Sequence, residues 1–356
     1  MSNDRFVLGL TGNIASGKSV VRQYLENAGA VTLDADLIAQ QTYLPGGPAY
    51  DAILEQFGQE LASAEGQINR SKLGRIVFND PQAMQKLEEL VHPHVSAWFN
   101  HFLQNSKAPF IVLEAIKLFE SGMNRNCDQV WAVVAEERLR AERLMHLRGF
   151  SEAAALQRIR AQSPEEEKVR LADRKISTSG SFAQTYAQVA EGLRSIPVAR
   201  PGIYSLPGGA RFHVLLPENF PQAIQLLASE GEKPWTDEDL YRLLGTHTVL
   251  GGFSQQTLTH LALMQICLSL ALVKPFYPAD LPSSPSATLE AAARFAGEHQ
   301  CRSLIVAKEM LSAPEAKKLG FIPGEDLIAG VGRLTYQSFL RKHGLMPGEV
   351  YQKPLI

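Results

Sequence analysis

Cysteine is sparse in this sequence. Its 356 residues hold three, Cys127, Cys267 and Cys301, far apart and with no CxxC pair, which excludes a disulfide framework and a thiolate zinc site and fits a reducing compartment. Long apolar runs are also missing. The longest, Leu261 to Val273, falls short of the roughly 20 residues that span a bilayer and reads as core. Nor does one charge dominate: 35 Lys+Arg against 37 Asp+Glu give a formal charge of −2. No global field therefore draws the chain to nucleic acid or an anionic membrane, and a polyanion site must be built locally. The N-terminus lacks the apolar core and cleavage site of a signal peptide. The expectation is a soluble cytoplasmic protein with neither nucleic acid nor membrane as partner.

What is present is globular in character, with 45% hydrophobic and 20% charged residues over a length that accommodates two domains. From Phe6 to about Ser195, short apolar runs alternate with longer amphipathic stretches, the pattern of parallel strands joined by helices. Strands are expected at Arg5–Leu10, Ala30–Leu33, Pro109–Leu113 and Gln129–Val134, and helices at Lys18–Asn27, Ala49–Phe57, Pro81–Gln104 and Glu136–Leu147. Pro197, Pro201, Pro207, Pro217 and the Gly208-Gly209 pair mark a linker. We divide the chain into a domain over 1–196, a linker over 197–210 and a second domain over 211–356. In the second, strands are expected at Phe212–Leu216, Leu258–Ile266, Ser269–Phe276 and Ser303–Val306, and helices from Pro221 to Leu227, at Ala287–Gly297 and at Pro314–Leu319. The fold class is α/β, a three-layer parallel sheet with a helical acceptor and lid region, followed by an α+β module.

Gly12, Asn13, Ile14, Ala15, Ser16, Gly17, Lys18 and Ser19 form GxxxxGK[ST] between an apolar strand and an amphipathic helix, the context this phosphate-binding motif requires. The glycines let the backbone wrap a phosphate with its N–H groups, and the helix N-terminus, reaching into Val20, adds its dipole. Lys18 reaches the β- and γ-phosphates, and the Ser19 hydroxyl holds Mg²⁺. A nucleotide phosphate is the implied ligand. Phe110 to Leu113 is a buried-strand run ending in Glu114, an acid placed to order Mg²⁺ or its waters. A GTPase switch fits poorly, since the chain lacks a DxxG after the P-loop and an Asn-Lys-x-Asp guanine reader.

Asp34-Ala35-Asp36 follows the second strand and sets two carboxylates at a carboxyl end of the sheet, where doubly wound folds place ligands. One of them suits a base for a hydroxyl acceptor, although a helix N-cap accounts for an Asp there equally well. Arg138, Arg140, Arg143 and Arg148 lie on or just after one helix. They supply either a lid over a polyphosphate or a salt-bridged solvated face. His92-Pro93 closes a helical stretch, a place where a lone histidine is more often structural than catalytic.

The order of these motifs resembles the dephospho-coenzyme A kinase family over about residues 5 to 195. The resemblance rests on the P-loop, Asp34 to Ala39, Phe57-Gly58, Ile68 to Leu73, Ile76 to Phe78, His92-Pro93, Leu118 to Glu120, Arg143 to Arg148, Arg158-Ile159 with Gln162, and Ala172-Asp173. It implies ATP-dependent phosphorylation of the ribose 3′-hydroxyl of dephospho-coenzyme A. By the same resemblance Asp34 is the base, Lys18 and Ser19 contact phosphate and Mg²⁺, Arg143 and Arg148 form the lid, and Arg70, His92 and Glu114 stand on the acceptor side. Asn13 and Ala15 occupy positions where the family usually has glycine. The usual Asp-x-Pro-Leu-Leu appears as Glu114-Ala115-Ile116-Lys117-Leu118, and Thr178 stands where an asparagine is usual. Two alternatives stay open: another small-molecule P-loop kinase, and a nucleotide-binding protein without turnover.

The second domain, Arg211 to about Phe321, looks like a GCN5-type acetyltransferase fold. Where that family has a glycine-rich pyrophosphate loop, this chain has Leu281-Pro282-Ser283-Ser284-Pro285-Ser286-Ala287. Its prolines lack the N–H and it has no glycine for close approach. The expectation is a degenerate domain without standard acetyl transfer, carrying a CoA-related ligand.

Overall fold

A computed structural model describes residues 5–63, 66–198, 203–205, 211–228, 234–254, 257–267, 270–277, 285–299, 301, 303–324, 340, 345 and 350–355. The first region is built on a five-stranded parallel sheet of β1 (Phe6–Thr11), β2 (Val31–Asp34), β3 (Phe110–Glu114), β4 (Gln129–Val134) and β5 (Arg174–Ser177), in the order β2-β3-β1-β4-β5. Its central strands are almost wholly buried, as a parallel sheet covered by helices on both faces demands. The helices are α1 (Lys18–Asn27), α2 (Ala35–Thr42), α3 (Tyr50–Phe57), α4 (Arg70–Asn79), α5 (Pro81–Asn105), α6 (Glu137–Arg148), α7 (Glu152–Arg160), α8 (Glu165–Leu171) and α9 (Phe182–Leu193). Four of them, α2 to α5, are inserted between β2 and β3, and α6 to α8 between β4 and β5. The expected acceptor and lid regions occupy these two insertions.

The second region is a mixed eight-stranded sheet. Its strands are β6 (Ile203–Ser205), β7 (Arg211–Val214), β8 (Thr248–Ser254), β9 (Thr257–Cys267), β10 (Leu270–Tyr277), β11 (Ser303–Ala307), β12 (Ile322–Pro323) and β13 (Val350–Pro354), in the order β12-β13-β11-β10-β9-β8-β7-β6. Its helices are α10 (Phe220–Ala228), α11 (Asp237–Leu244), α12 (Pro285–Glu298) and α13 (Ala313–Lys318). All the named pairings are antiparallel except β10 with β11, which run parallel with α12 between them in sequence.

Two expectations change. The span 197–210 is not linker throughout, because Ile203–Ser205 pairs antiparallel with β7 and forms one edge of the second sheet. A short edge strand among prolines and glycines offers little period-two pattern to read. Second, His92-Pro93 does not close a helical stretch: α5 runs through Pro93 for 25 residues, in keeping with the helix expected at Pro81–Gln104. Proline removes one ladder bond, and burial of Val91, Val95 and Phe99 on either side outweighs that loss. Leu281 to Ser284 lie outside the described residues, and α12 begins at Pro285.

The two sheets share one hydrophobic core, in which Leu8, Leu10, Val21, Tyr24 and Trp131 pack in the same cluster as Phe212, Phe220, Leu240, Leu244 and Phe295. The seam is polar as well. Asn27 Nδ2 donates to the carbonyls of Leu244 (2.8 Å) and His247 (3.2 Å), Tyr24 Oη to that of Tyr241 (2.8 Å), and Gln23 Nε2 to Thr248 Oγ1 (3.2 Å). Glu238 accepts from the Phe182 and Ala183 amides at the start of α9. Cys127 and Cys301 form no disulfide, and burial pushes the Cys127 thiol up to about 12, which leaves it unreactive. No helix among the described residues is long and apolar enough to cross a membrane.

Candidate active site

The carboxyl end of the first sheet gathers the chemistry. β1 ends at Thr11 and the chain turns at once through the P-loop into α1. Gly12 lies at φ 147°, and a Cβ there would meet the Val133 carbonyl oxygen at 2.2 Å, so only glycine passes. Gly17, at φ 89°, caps α1, where a Cβ would press on Thr178. Ala15 holds φ 59° without being glycine, and side chains from α6 and β5's exit fasten the loop around it. Arg143 donates to the Ala15 carbonyl (3.0 Å), to Thr178 Oγ1 (3.0 Å) and to the Thr178 carbonyl (2.7 Å), while Thr178 Oγ1 donates to the Ser16 carbonyl (2.6 Å). Arg140 Nε reaches the Ile14 carbonyl (3.0 Å), and Gln162 Oε1 accepts from the Ile14 amide (2.7 Å). Asn13 Nδ2 donates to the Ser163 carbonyl (2.9 Å).

Lys18 is buried, with Nζ on the Gly12 (3.0 Å) and Asn13 (3.3 Å) carbonyls. Burial lowers its pKa, against the pull of Glu114, Asp36 and Asp34. β2 and β3 are neighbours in a register that sets Asp34 opposite Glu114, so two carboxylates stand side by side at adjacent strand ends. Asp34 is the helix cap that the sequence allowed: its Oδ1 accepts from Asp36 N (2.9 Å) and Leu37 N (3.1 Å), and its Oδ2 faces Arg22. Arg22 lies between the carboxylates, with Nη1 3.5 Å from Asp34 Oδ2 and Nε 3.4 Å from Glu114 Oε2. Burial pushes the Glu114 carboxyl up, and Arg22 and Lys18 oppose that shift.

Of the other expected residues, Ser19 is exposed at the first turn of α1, and Val20 packs on Gly245 of the second region. Arg70 is exposed at the start of α4 and donates a hydrogen bond to Tyr43. His92 lines a separate cavity of about 520 Å³ with Glu88, Glu89 and Ser121, and burial lowers its pKa. Arg148 is exposed in the last turn of α6, and of the two lid arginines it is Arg143 that touches the P-loop. Arg22, Thr178 and the loop contact of Arg140 escape sequence reasoning. Arg22 had a signal, because it follows Lys18 by four residues and so shares its face of α1.

A cavity of about 560 Å³ opens beside the P-loop, lined by Asn13, Arg140, Gln162, Ser163, Lys175 and Ser179. Its walls are polar and of mixed charge, with Arg140, Arg160 and Lys175 beside Glu136, Glu137, Glu165 and Glu166. The residues fit Mg²⁺. Glu114 Oε2 is buried, accepts no hydrogen bond and lies 3.4 Å from Arg22 Nε, so a hydrated cation there would share this carboxylate with Arg22. Among the described residues no cluster of three or more His, Cys, Asp or Glu could hold a metal alone.

Residues 6–184 match the family model for dephospho-CoA kinase. The chain belongs to that family. It resembles the dephospho-CoA kinase of Carboxydothermus hydrogenoformans, 42% identical over 186 residues that span 51% of this chain and 90% of that one. Among solved structures it is similar to dephospho-CoA kinase from Campylobacter jejuni, at 29% identity and a TM-score of 0.41 over 53% of this chain and 96% of the other. An N-acetyltransferase from Staphylococcus aureus aligns at 11% identity and a TM-score of 0.30, covering 42% of this chain and all of that one. As a dephospho-CoA kinase the chain transfers the γ-phosphoryl group of ATP to the 3′-hydroxyl of its small-molecule substrate, dephospho-CoA.

Proposed function

We propose that this kinase divides its reaction between the P-loop and the two strand-end carboxylates. Asp34 Oδ2 takes the proton from the ribose 3′-hydroxyl as that oxygen bonds to the γ-phosphorus and the bond to ADP breaks. Lys18 and the loop amides hold the phosphates. Arg143 keeps the loop in its phosphate-binding shape through Ala15 and Thr178. Glu114 and Ser19 would hold Mg²⁺, whose charge would offset that of the nucleotide phosphates. Arg148, Arg70 and His92 serve the lid and acceptor side. The observation that carries this reading is the split role of Asp34, whose Oδ1 is committed to the α2 amides while Oδ2, next to Glu114, meets Arg22 Nη1 at 3.5 Å. The test is ADP release by full-length protein with MgATP, with and without dephospho-CoA, with the product weighed by mass spectrometry. Acceptor-dependent ADP and a product heavier by one phosphoryl group are expected. ATP binding without that product would instead support a binding protein without turnover.

For the rest of the chain the reading is a kinase domain over 1–196 and an acetyltransferase-like domain over 211–356, with a CoA-related ligand on the second, in the cytoplasm. The parallel β10–β11 pair around α12, in a sheet otherwise antiparallel, supports the layout. Pro285, which opens α12 and has no N–H to offer, supports a degenerate phosphate loop. Calorimetric titration of the full chain with acetyl-CoA is expected to give two sites per chain, one in each region. A single site that dephospho-CoA displaces would leave the second region without this ligand.

A further inference from the structure

We propose that Arg22 is a positioning residue for phosphoryl transfer, screening Asp34 from Glu114 and fixing the orientation of Asp34 Oδ2. The inference rests on reading Asp34 as the base.

The register across β2 and β3 puts Asp34 opposite Glu114. Two like charges at adjacent strand ends repel and disfavour keeping both ionised. Solvent does little to relieve this, since the Asp34 side chain is 21% and the Glu114 side chain 12% exposed. A cation must stand between them. Two of the nearby cations are engaged elsewhere: Lys18 Nζ is held on the Gly12 and Asn13 carbonyls, and Lys117, the charge this chain adds after Glu114, pairs with Glu88 of α5. Arg22, itself 23% exposed, presents Nη1 to Asp34 and Nε to Glu114. Spanning two carboxylates with one head group needs the fork of a guanidinium and not the single point of an ammonium. The helix α1 sets its place, one turn beyond Lys18. Because the α2 amides hold Oδ1, a contact from Arg22 on Oδ2 fixes the plane of the carboxylate and so the direction from which it meets a hydroxyl.

Steady-state kinetics on the full-length chain, in a double-mutant cycle, tests this. Arg22→Gln is expected to lower kcat by about ten- to a hundredfold, the scale of a misplaced catalytic group, with KM for ATP and dephospho-CoA within about threefold. Arg22→Lys, which restores the charge without the fork, is expected to recover part of the loss. In an Asp34→Asn background there is no charge to screen, and Arg22→Gln is expected to change the residual rate by less than about threefold. If Arg22→Gln is recovered unfolded, Arg22→Met replaces it in the same cycle. An unchanged kcat for the single variant, a rise in KM alone, or the same fold-loss in both backgrounds would overturn the proposal. Undiminished turnover in Asp34→Asn alone would overturn the base assignment instead.

Discussion

Among single residues, the P-loop accepts side chains where the family usually has glycine because neighbours hold those positions. Ala15 stands in the left-handed region, at a cost of about 1–2 kcal/mol for a residue with a Cβ. Its carbonyl is held by Arg143, and the Asn13 amide group is tied to Ser163. Gly12 has no such latitude, since its Cβ would fall 2.2 Å from backbone. Gly12→Ala is therefore expected to cost roughly 3 kcal/mol or more and to abolish ATP binding, as read by urea unfolding and by titration with ATP. Ala15→Gly should raise stability by up to about 1 kcal/mol in the same urea experiment, because the φ penalty disappears while the backbone hydrogen bond stays.

Between elements, α8 is bound to the segment after β3 through a buried lysine. Lys168 Nζ donates to the Ile116 carbonyl (2.7 Å) and to Glu120 Oε1 (2.8 Å), and Ser163 Oγ adds a donor to the same oxygen (3.1 Å). Desolvation pushes the Glu120 carboxyl up, but the Lys168 and Ser163 hydrogen bonds more than offset it and hold it below the usual 4.5. A carboxyl depressed in the folded state binds fewer protons there than in the unfolded chain. Its contribution is thus complete above about pH 4.5 and is lost as pH falls through the lowered value. Glu120→Gln is expected to flatten the acid side of a stability profile taken by urea unfolding between pH 3 and 7.

Much at this scale was legible. The apolar runs that became β1 to β4 and the helix Lys18–Asn27 lie within one residue of their expected ends, because a buried parallel strand and a glycine-rich turn leave strong local patterns. Less legible was β5, whose Arg174-Lys175-Ile176-Ser177 has a single buried apolar residue. The site divides in the same way. Gly12 to Ser19 announce themselves by spacing, and the Asp34-Ala35-Asp36 pair and Glu114 by their places at strand ends. Thr178 does not, because its grip on the Ser16 carbonyl arises from tertiary approach. Gln23 and Asn27 are polar residues of an amphipathic helix and yet are buried, since what covers them lies more than two hundred residues along the chain.

For the molecule as a whole, that covering is the decisive feature. The helix that carries the phosphate-binding lysine has one side on the parallel sheet and the other under α11 and β8. With a continuous core across both sheets, heating is expected to give a single calorimetric transition whose van't Hoff and calorimetric enthalpies agree. Two resolved transitions would contradict it. Asn27→Ala strands one buried and one part-buried carbonyl and is expected to destabilise the whole chain by about 1–3 kcal/mol, shifting that one transition without splitting it.

The same seam bears on the order in which the protein is made. Asn27 and the Leu244 carbonyl it binds are 217 residues apart. At roughly 5–20 residues per second, about ten to forty seconds pass on the ribosome before α1 meets its second wall. Through that interval the newborn nucleotide-binding half carries an uncovered apolar and amide-lined flank, a surface that a chaperone would recognise until residues 237–254 emerge to close it.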